Sequence, residues 1–379
     1  MIFIVIVVFL ILYAGLSIYV GLKGYFVFSN LLPFFNQYIY WILFAIISLS
    51  IVIAQVGKNF IPELISRVFQ IVGSYWIAAF EYLLMIYALV DIVRLVVRHQ
   101  HKIVNKPASL AFNVLILVFV GILLIYGTYH AKDTKIAKYN LNIDKKAGEL
   151  KELNVVMVSD IHLGEIIDKN RLEKMVAKVN ELKPDVVLLA GDIIDDRIEP
   201  FEKSNMKQQF LKIKSKYGVY GVLGNHELFG GNINAVEMAY KNAGIKCLVD
   251  QVTKVENSFY IVGRNDSSSR VNGQGRKTLE VLLKDVDKNL PIIVMDHQPN
   301  NLKEGKLNGI DIQFSGHTHG GQYFPNNIIT KLMFEEHWGF IKKGNSSFII
   351  SAGFGTWGPP IRIGTNSEIV NVVINFNDR

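Results

Sequence analysis

The sequence predicts an all-α transmembrane bundle followed by an α/β domain. The chain has 379 residues, of which 50% are hydrophobic. The mean hydropathy of +0.26 is high for a soluble protein, and the apolar excess is concentrated in residues 1–130. From about residue 150, short apolar runs alternate with helical patterns instead. We therefore divide the chain into a four-helix transmembrane region (1–130), a linker (131–149) and an α/β domain (150–379).

Four segments of the first region are long enough to cross a bilayer, which takes roughly 20 apolar residues. They are residues 1–22, 38–56, 71–97 and 110–129. The first could be a signal peptide, but it has no basic n-region and no A-x-A cleavage site, so we predict a span. Five basic residues near the span ends fall on the side of the C-terminal domain and four on the other side. This small bias favours a cytoplasmic domain.

The third segment carries ionisable residues. Asp91 and Arg94 are three residues apart and can pair on one helix face. Glu81 lies deeper, where a carboxylate is costly unless it faces the bundle interior. Three interpretations remain open for Glu81. It forms a helix–helix hydrogen bond, its segment is tilted into the membrane interface, or it contacts a ligand or ion, as in a transporter regulated by the C-terminal domain.

Charge and cysteine content exclude several classes of protein. The formal net charge of +7 divides into +4 before residue 131 and +3 after it. Neither part has the concentrated basic stripe of a nucleic-acid-binding protein, so we predict no nucleic-acid partner. The single cysteine, Cys247, excludes an intrachain disulfide and a cysteine-rich metal site. The oligomeric state stays open.

The second region repeats one pattern five times: an apolar strand that ends in polar residues. The strands lie near 153–160, 184–192, 217–227, 290–299 and 309–320, with helical periodicity at 168–183 and about 201–215. Continuous apolar strands that alternate with helices indicate buried, largely parallel β structure. The residues at the strand ends are Asp160, His162, Asp192, Asn225, His226, His297, His317 and His319.

These polar residues are typical of a ligand site, because ligands of open α/β sheets bind at the carboxyl ends of the strands. His317 and His319 are two positions apart, so an extended segment would aim both imidazoles at one point, as a metal ion requires. Taken alone, Asp192 could be a helix N-cap and His297 an ordinary loop histidine. The five blocks together favour a metal site.

The motifs "SDIHLG", "GDIID", "GNHE", "DHQP" and "SGHTHGGQ" occur in this order. Through these five motifs, residues 150–379 resemble the calcineurin-like binuclear metallophosphoesterases. The tail "SAGFGTWGPPIRIGTNSEI" (351–369) is similar to a membrane-associated bacterial branch that includes enzymes cleaving lipid-sugar pyrophosphates. The resemblance implies a metallophosphoesterase fold, in which a central β-sandwich is flanked by helices.

The resemblance also implies a role for each strand-end residue. Two divalent metal ions would activate a shared hydroxide that attacks phosphorus, and ligands of nitrogen and oxygen suit Mn²⁺, Fe or Zn²⁺. His226 is not a ligand in the family pattern and would protonate the leaving oxygen. The first ion would be held by Asp160, His162 and His319, the second by Asn225, His297 and His317, with Asp192 bridging the two.

We therefore expect a multi-pass protein of a bacterial cytoplasmic membrane. It would be a metal-dependent phosphohydrolase that cleaves a phosphoester or pyrophosphate bond of a lipid or other membrane-borne substrate, and its partners would be membrane lipids. The competing hypothesis is an inactive scaffold or sensor, although all seven ligand positions and His226 are filled. Two smaller questions stay open. Asp195 either orients a ligand or caps a helix, and Arg264 and Arg270 either bind phosphate or are ordinary loop residues.

Overall fold

The computed structural model separates the chain into two compact units. One is helical and comprises Met1–Thr128 with Gly358–Pro360, and the other is an α/β unit of Tyr129–Trp357 with Ile361–Arg379. The structure describes residues 2–34, 36–57, 60–98, 106–270 and 275–377.

The helical unit consists of long apolar helices. Their bounds are α1 (Ile2–Leu31), α2 (Gln37–Ser48), α3 (Ser50–Gly57), α4 (Glu63–Arg98) and α5 (Lys106–Lys132), the last of which continues into the α/β unit. Among the described residues, three stretches are long and apolar enough to span a membrane: Val7–Leu31, Glu63–Val96 and Ser109–Lys132. The bent pair α2 and α3 would be a fourth span if it crosses as one.

The predicted span 38–56 is therefore not one straight helix. The chain bends by 58° between α2 and α3. Next to the bend, the Ser50 hydroxyl donates a hydrogen bond to the Ile46 carbonyl at 2.7 Å. A serine that bonds back to a carbonyl four residues earlier competes with the helical ladder and bends helices. A hydropathy window registers the apolar run and misses this local competition.

Asp91 has a closer partner than the one predicted from sequence. Its separation from Arg94 is 3.8 Å, whereas Lys23 Nζ lies 2.6 Å from Asp91 Oδ2. The Tyr19 hydroxyl donates a further hydrogen bond to the same oxygen at 2.6 Å. A charge in an apolar helical region is costly when it is unpaired, so this contact between α1 and α4 stabilises the unit.

The α/β unit contains two mixed sheets. In the described part of the chain each has six strands, in the orders β1-β12-β2-β3-β4-β5 and β10-β11-β9-β8-β7-β6. Most neighbouring strands are parallel, as predicted, including β2 with β3, β3 with β4, and β8 with β9. The strands are β1 (Thr134–Ile143), β2 (Glu152–Val158), β3 (Val186–Ala190), β4 (Val219–Val222), β5 (Ile245–Cys247), β6 (Gln251–Val255), β7 (Phe259–Gly263), β8 (Ile292–Met295), β9 (Ile312–Ser315), β10 (Gly339–Lys343), β11 (Ser346–Ile350) and β12 (Ser367–Phe376).

Alternating strand residues build the layers. In β2, Val155 and Met157 enter the core that both sheets share, whereas Val156 and Val158 pack under the helices on the outer face. Both faces are thus apolar, which explains the continuous apolar runs. The α/β fold and its β-sandwich are confirmed. The helices are α6 (Lys169–Glu181), α7 (Glu199–Lys203), α8 (Lys207–Phe210), α9 (Asn225–Phe229), α10 (Ile233–Asn242), α11 (Leu279–Leu282), α12 (Leu302–Asn308) and α13 (Asn326–Met333).

Two local predictions differ from the structure. The segment 131–149, predicted as a linker, contains β1, an edge strand that runs parallel to β12. Only alternate residues of an edge strand face the core, and the lysines and asparagines between them obscured the pattern. The helical stretch predicted at about 201–215 is instead the two short helices α7 and α8. By contrast, the helix predicted at 168–183 forms as α6.

Candidate metal centre

The carboxyl ends of five strands carry the predicted site residues. Asp160 and His162 follow β2, and Asp192 follows β3. Asn225 and His226 are the first two residues of α9, which begins after β4. The remaining three come from the second sheet, where His297 follows β8, and His317 and His319 follow β9.

One group of donor atoms joins the two sheets. Asp160, His162 and His319 each offer a ligand atom within 4.8 Å of the others. The Nε2 atoms of His162 and His319 are 3.0 Å apart, and His319 Nε2 is 3.6 Å from Asp160 Oδ1. Lone pairs of two imidazoles at this separation repel one another unless a proton or a cation lies between them. The geometry therefore suits a shared cation.

A second group lies around His297. Its Nδ1 is 2.9 Å from the Ala190 carbonyl oxygen, which can only accept, so Nδ1 carries a proton. Nε2 is 3.1 Å from both Asn225 Oδ1 and Asp192 Oδ2, which are acceptors, so a proton or a cation must lie among the three atoms. His317 offers a further nitrogen within 4.8 Å of the ligand atoms of Asp192 and His297. Convergent acceptors of this kind fit a cation.

Asp192 lies between the two groups. Its Oδ2 is 3.1 Å from His297 Nε2 and 3.9 Å from His162 Nε2, and its Oδ1 accepts a hydrogen bond from the His226 amide at 2.9 Å. Asp160 Oδ2 is buried without a hydrogen-bond partner among the described residues. An unpaired buried carboxylate oxygen is costly, and a bound cation would satisfy it. The residues thus fit two divalent ions.

The backbone is strained at this centre. Five of the seven predicted ligands have φ between 50° and 71°, a region that side-chain-bearing residues rarely adopt. Backbone hydrogen bonds between neighbouring loops hold this geometry. In one of them the Asp160 amide donates to the Gly191 carbonyl at 3.0 Å. Strain of this kind is characteristic of functional sites. The five residues are Asp160, His162, Asp192, His317 and His319.

Two glycines permit the close approach of the loops. A Cβ at Gly316 would overlap Asp160 Oδ2, and a Cβ at Gly224 would overlap Asp192 Oδ1. Any other residue would displace the carboxylates, which accounts for the glycines in "SGHTHGGQ" and "GNHE".

His226 lies beside the two groups in contact with acidic side chains. Its Nδ1 is 2.7 Å from Asp196 Oδ1 and 3.0 Å from Asp195 Oδ1. Burial opposes the charged ring, but the two carboxylates outweigh it and raise the pKa of His226 to about 11. Asp195 Oδ1 is also 3.4 Å from His162 Nδ1. Asp195 therefore orients two histidines, in agreement with the first of its two interpretations.

Removing the acidic neighbours of His226 should change the pH dependence of hydrolysis. If the protonated ring is the active form, activity falls as the pH rises through its pKa. Asp195→Asn and Asp196→Asn each remove a carboxylate that raises this pKa. We expect the wild type to keep its kcat up to about pH 10, and both variants to lose activity below that pH because their alkaline limb moves to lower pH. An unchanged limb in both would show that His226 does not set it.

Sequence reasoning missed Glu227, the fourth residue of "GNHE". This buried carboxylate connects the loop after β3 to the start of α9. The Ile193 amide donates to its Oε1 at 2.7 Å, and the Gly224 amide donates to its Oε2 at 2.7 Å. Its other donors are the amides of Asp192 and Ile194 and the hydroxyl of Tyr240. The position of Glu227 inside the motif was the available signal.

Loss of Glu227 should weaken both folding and metal binding. Glu227→Ala leaves buried amides unsatisfied, each of which costs about 1–3 kcal/mol. We expect a clearly lower midpoint of thermal unfolding. Metal affinity should also fall by roughly 10–100-fold, the usual cost of losing support for a ligand. Glu173→Ala on the exposed face of α6 is the control, and equal behaviour of the two variants would refute the assigned role.

Arg362 in the tail "PPIRIG" was also missed. It is fully buried and connects the tail to the loop after β9, because its guanidinium donates to the His319 carbonyl at 3.3 Å. It also donates to the carbonyls of Ala352, Gly353 and Gly355. Arg264, in contrast, pairs with Asp296 at 3.2 Å and Glu304 at 3.0 Å, which favours a structural role. The side chain of Arg270 lies outside the described residues.

Comparison with known proteins agrees with this geometry. Residues 153–321 match the family model for the calcineurin-like phosphoesterases. An uncharacterized metallophosphoesterase of Campylobacter jejuni is 32% identical over 74% of this chain and 75% of its own length. One from Aquifex aeolicus is also 32% identical, over 68% of this chain and 98% of its own length.

A relative from Danio rerio bears on the membrane region. It is named a transmembrane protein with a metallophosphoesterase domain, and it is 30% identical over 69% of this chain and 62% of its own length. Its name and the three candidate spans indicate that the present chain is a membrane protein. The motifs, the fold and the relatives agree, and the chain belongs to the calcineurin-like phosphoesterases, a family of hydrolases that use divalent metal ions.

Proposed function

We propose that this chain is a membrane-anchored phosphohydrolase with two divalent metal ions, which cleaves a phosphoester or pyrophosphate bond. The observation that supports it most is the position of Asp192 between the two donor groups. Its Oδ2 is 3.9 Å from Nε2 of His162 in the first group and 3.1 Å from Nε2 of His297 in the second. The first group, with Asp160 as its carboxylate, would hold one ion. The second, completed by the amide oxygen of Asn225, would hold the other.

Each set of residues has a separate task in the proposed reaction. When bound, two such ions lower the pKa of a water and neutralise phosphoryl charge. Asp192 and Asp160 supply the negative charge that retains the ions. His226 donates a proton from Nε2 to the leaving oxygen, while Asp195 and Asp196 keep its ring charged and fixed through Nδ1.

We further propose that the substrate is lipid-linked and that the partners of the protein are membrane lipids. The candidate spans support this proposal, because they confine the domain to a bilayer surface, where the local concentration of lipid phosphates is high. The proposed location is a bacterial cytoplasmic membrane with the domain on the cytoplasmic side. The test is to label a cysteine introduced on the surface of the domain with a membrane-impermeant thiol reagent, which should react in lysates and not in intact cells.

The function is tested with the full chain in detergent, loaded in turn with Mn²⁺, Fe²⁺ or Zn²⁺. Metal content is measured by mass spectrometry. Hydrolysis is then assayed on bis-p-nitrophenyl phosphate, phospholipids and a nucleotide-linked lipid pyrophosphate. We expect about two ions per chain and turnover of at least one substrate. A fully loaded protein that hydrolyses none of them would favour the scaffold or sensor hypothesis.

A further inference from the structure

The helix α13 carries its apolar side chains outward. Ile328 and Ile329 are each 51% exposed, Met333 is 70% exposed and Leu332 is 83% exposed. Their spacing places them on one face of the helix. No residue of α13 is buried. A helix of a soluble protein normally turns such a face toward a core. The orientation of α13 is inverted, because its apolar face points away from the protein.

The polar side of α13 faces the protein. A Cβ on Gly321 would overlap the backbone of Asn327, so the helix packs directly on the glycine turn of "SGHTHGGQ". Asn326, Asn327 and Thr330 are half-buried there. Because this side is fixed by packing, α13 cannot hide its apolar face by rotating. The exposed face is therefore a stable property of the domain, and water solvates it poorly.

This face lies beside the metal centre. Phe334, the residue after α13, has its ring 6.1 Å from the His317 ring. Phe334 is half-buried, whereas Trp357, whose ring is 6.2 Å from the His226 ring, is 59% exposed. Gln322 holds Trp357 by accepting from its amide at 2.8 Å and donating to its carbonyl at 3.0 Å. The end of α13 thus contacts a predicted metal ligand, and an exposed tryptophan contacts the predicted proton donor.

We propose that α13 is an interfacial helix that inserts Ile328, Ile329, Leu332 and Met333 into the acyl region of a lipid bilayer. The same chain carries candidate membrane spans, and only Asp133 separates α5 from β1. The exposed Lys331 suits anionic headgroups. Trp357 would lie at the headgroup level, where tryptophan is enriched.

The consequence concerns substrate access, and this part rests on the proposed function. An inserted α13 holds the metal centre at headgroup depth. The phosphate of a lipid could then reach the centre while its acyl chains stay in the bilayer. The class of substrate is accordingly a phosphate or pyrophosphate attached directly to a membrane lipid.

The test measures lipid contact and not turnover. In a full-length Cys247→Ser background, Leu332→Cys is labelled with bimane and reconstituted into vesicles of phosphatidylcholine and phosphatidylglycerol with brominated acyl chains. Leu307→Cys is the control. It is also well exposed, but it lies near the end of α12, just before β9 starts and thus toward the amino ends of the strands, whereas the metal centre lies at their carboxyl ends. Ile329→Cys provides a second position on the proposed face.

We expect brominated lipids to quench the labels at positions 332 and 329 several-fold more strongly than the label at 307. Equal quenching at all three positions would overturn the proposal. So would a disulfide between two copies of the Leu332→Cys variant, formed through the introduced thiol, which would assign the face to a second copy of the chain. Because no activity is measured, an inactive protein could still show insertion, and an active one could lack it.

Discussion

The Asp192→Asn variant is expected to lose bound metal and about a thousandfold or more in kcat/KM, because the metals supply several kcal/mol of transition-state stabilisation. Asparagine has the same shape as aspartate and keeps an oxygen that can accept the hydrogen bond from the His226 amide. The substitution removes only the negative charge between the two donor groups. Metal content and hydrolysis of bis-p-nitrophenyl phosphate are measured on the same sample.

Asp168→Asn provides the matched control for this variant. Asp168 caps α6 by accepting from the Arg171 amide at 3.0 Å, and asparagine caps a helix equally well. We expect this control to keep both metal ions and full activity. If Asp192→Asn retained two ions and normal turnover, Asp192 would not be a bridging ligand.

The His226→Ala variant is expected to keep its metal ions and to lose about 10²–10⁴-fold in kcat, the usual contribution of a positioned general acid. The dependence on the leaving group makes the test sharper. An alkoxide needs a proton as it departs, whereas p-nitrophenolate is stable without one. The loss should therefore be large for alkyl phosphoesters and much smaller for p-nitrophenyl esters.

A different outcome for His226→Ala would reassign this residue. His226, His162 and Asp195 also offer ligand atoms within 4.8 Å of one another. If the variant lost an ion, this third group would be part of the metal centre and His226 would be a ligand. An equal loss of rate for both kinds of ester, with metal retained, would point to a role in binding phosphate instead.

The sequence was informative where chemistry and periodicity coincide. Buried strands such as β3 are continuous apolar runs, and α6 shows its apolar face at helical spacing. The approach of Asp160 to His319 across two sheets could not be derived from spacing alone. It was expected because each residue ends a strand and because the five motifs resemble a known family.

Other features depend on tertiary contacts that leave little trace in sequence. Glu227 and Arg362 are charged residues that a pattern assigns to the surface, yet they are buried because amides and carbonyls from distant segments converge on them. The inverted face of α13 has ordinary amphipathic spacing. Only the structure reveals which side faces the protein.

The position of β12 constrains how the domain forms during synthesis. This strand lies between β1 and β2, although β1 is the first strand to leave the ribosome and β12 is the last of the twelve described. Until residues 367–376 emerge, β1 has no partner strand in this sheet and β2 is an edge strand with one side unpaired. Unpaired edges aggregate readily. A nascent chain already held in a bilayer would be kept apart from its copies during that interval.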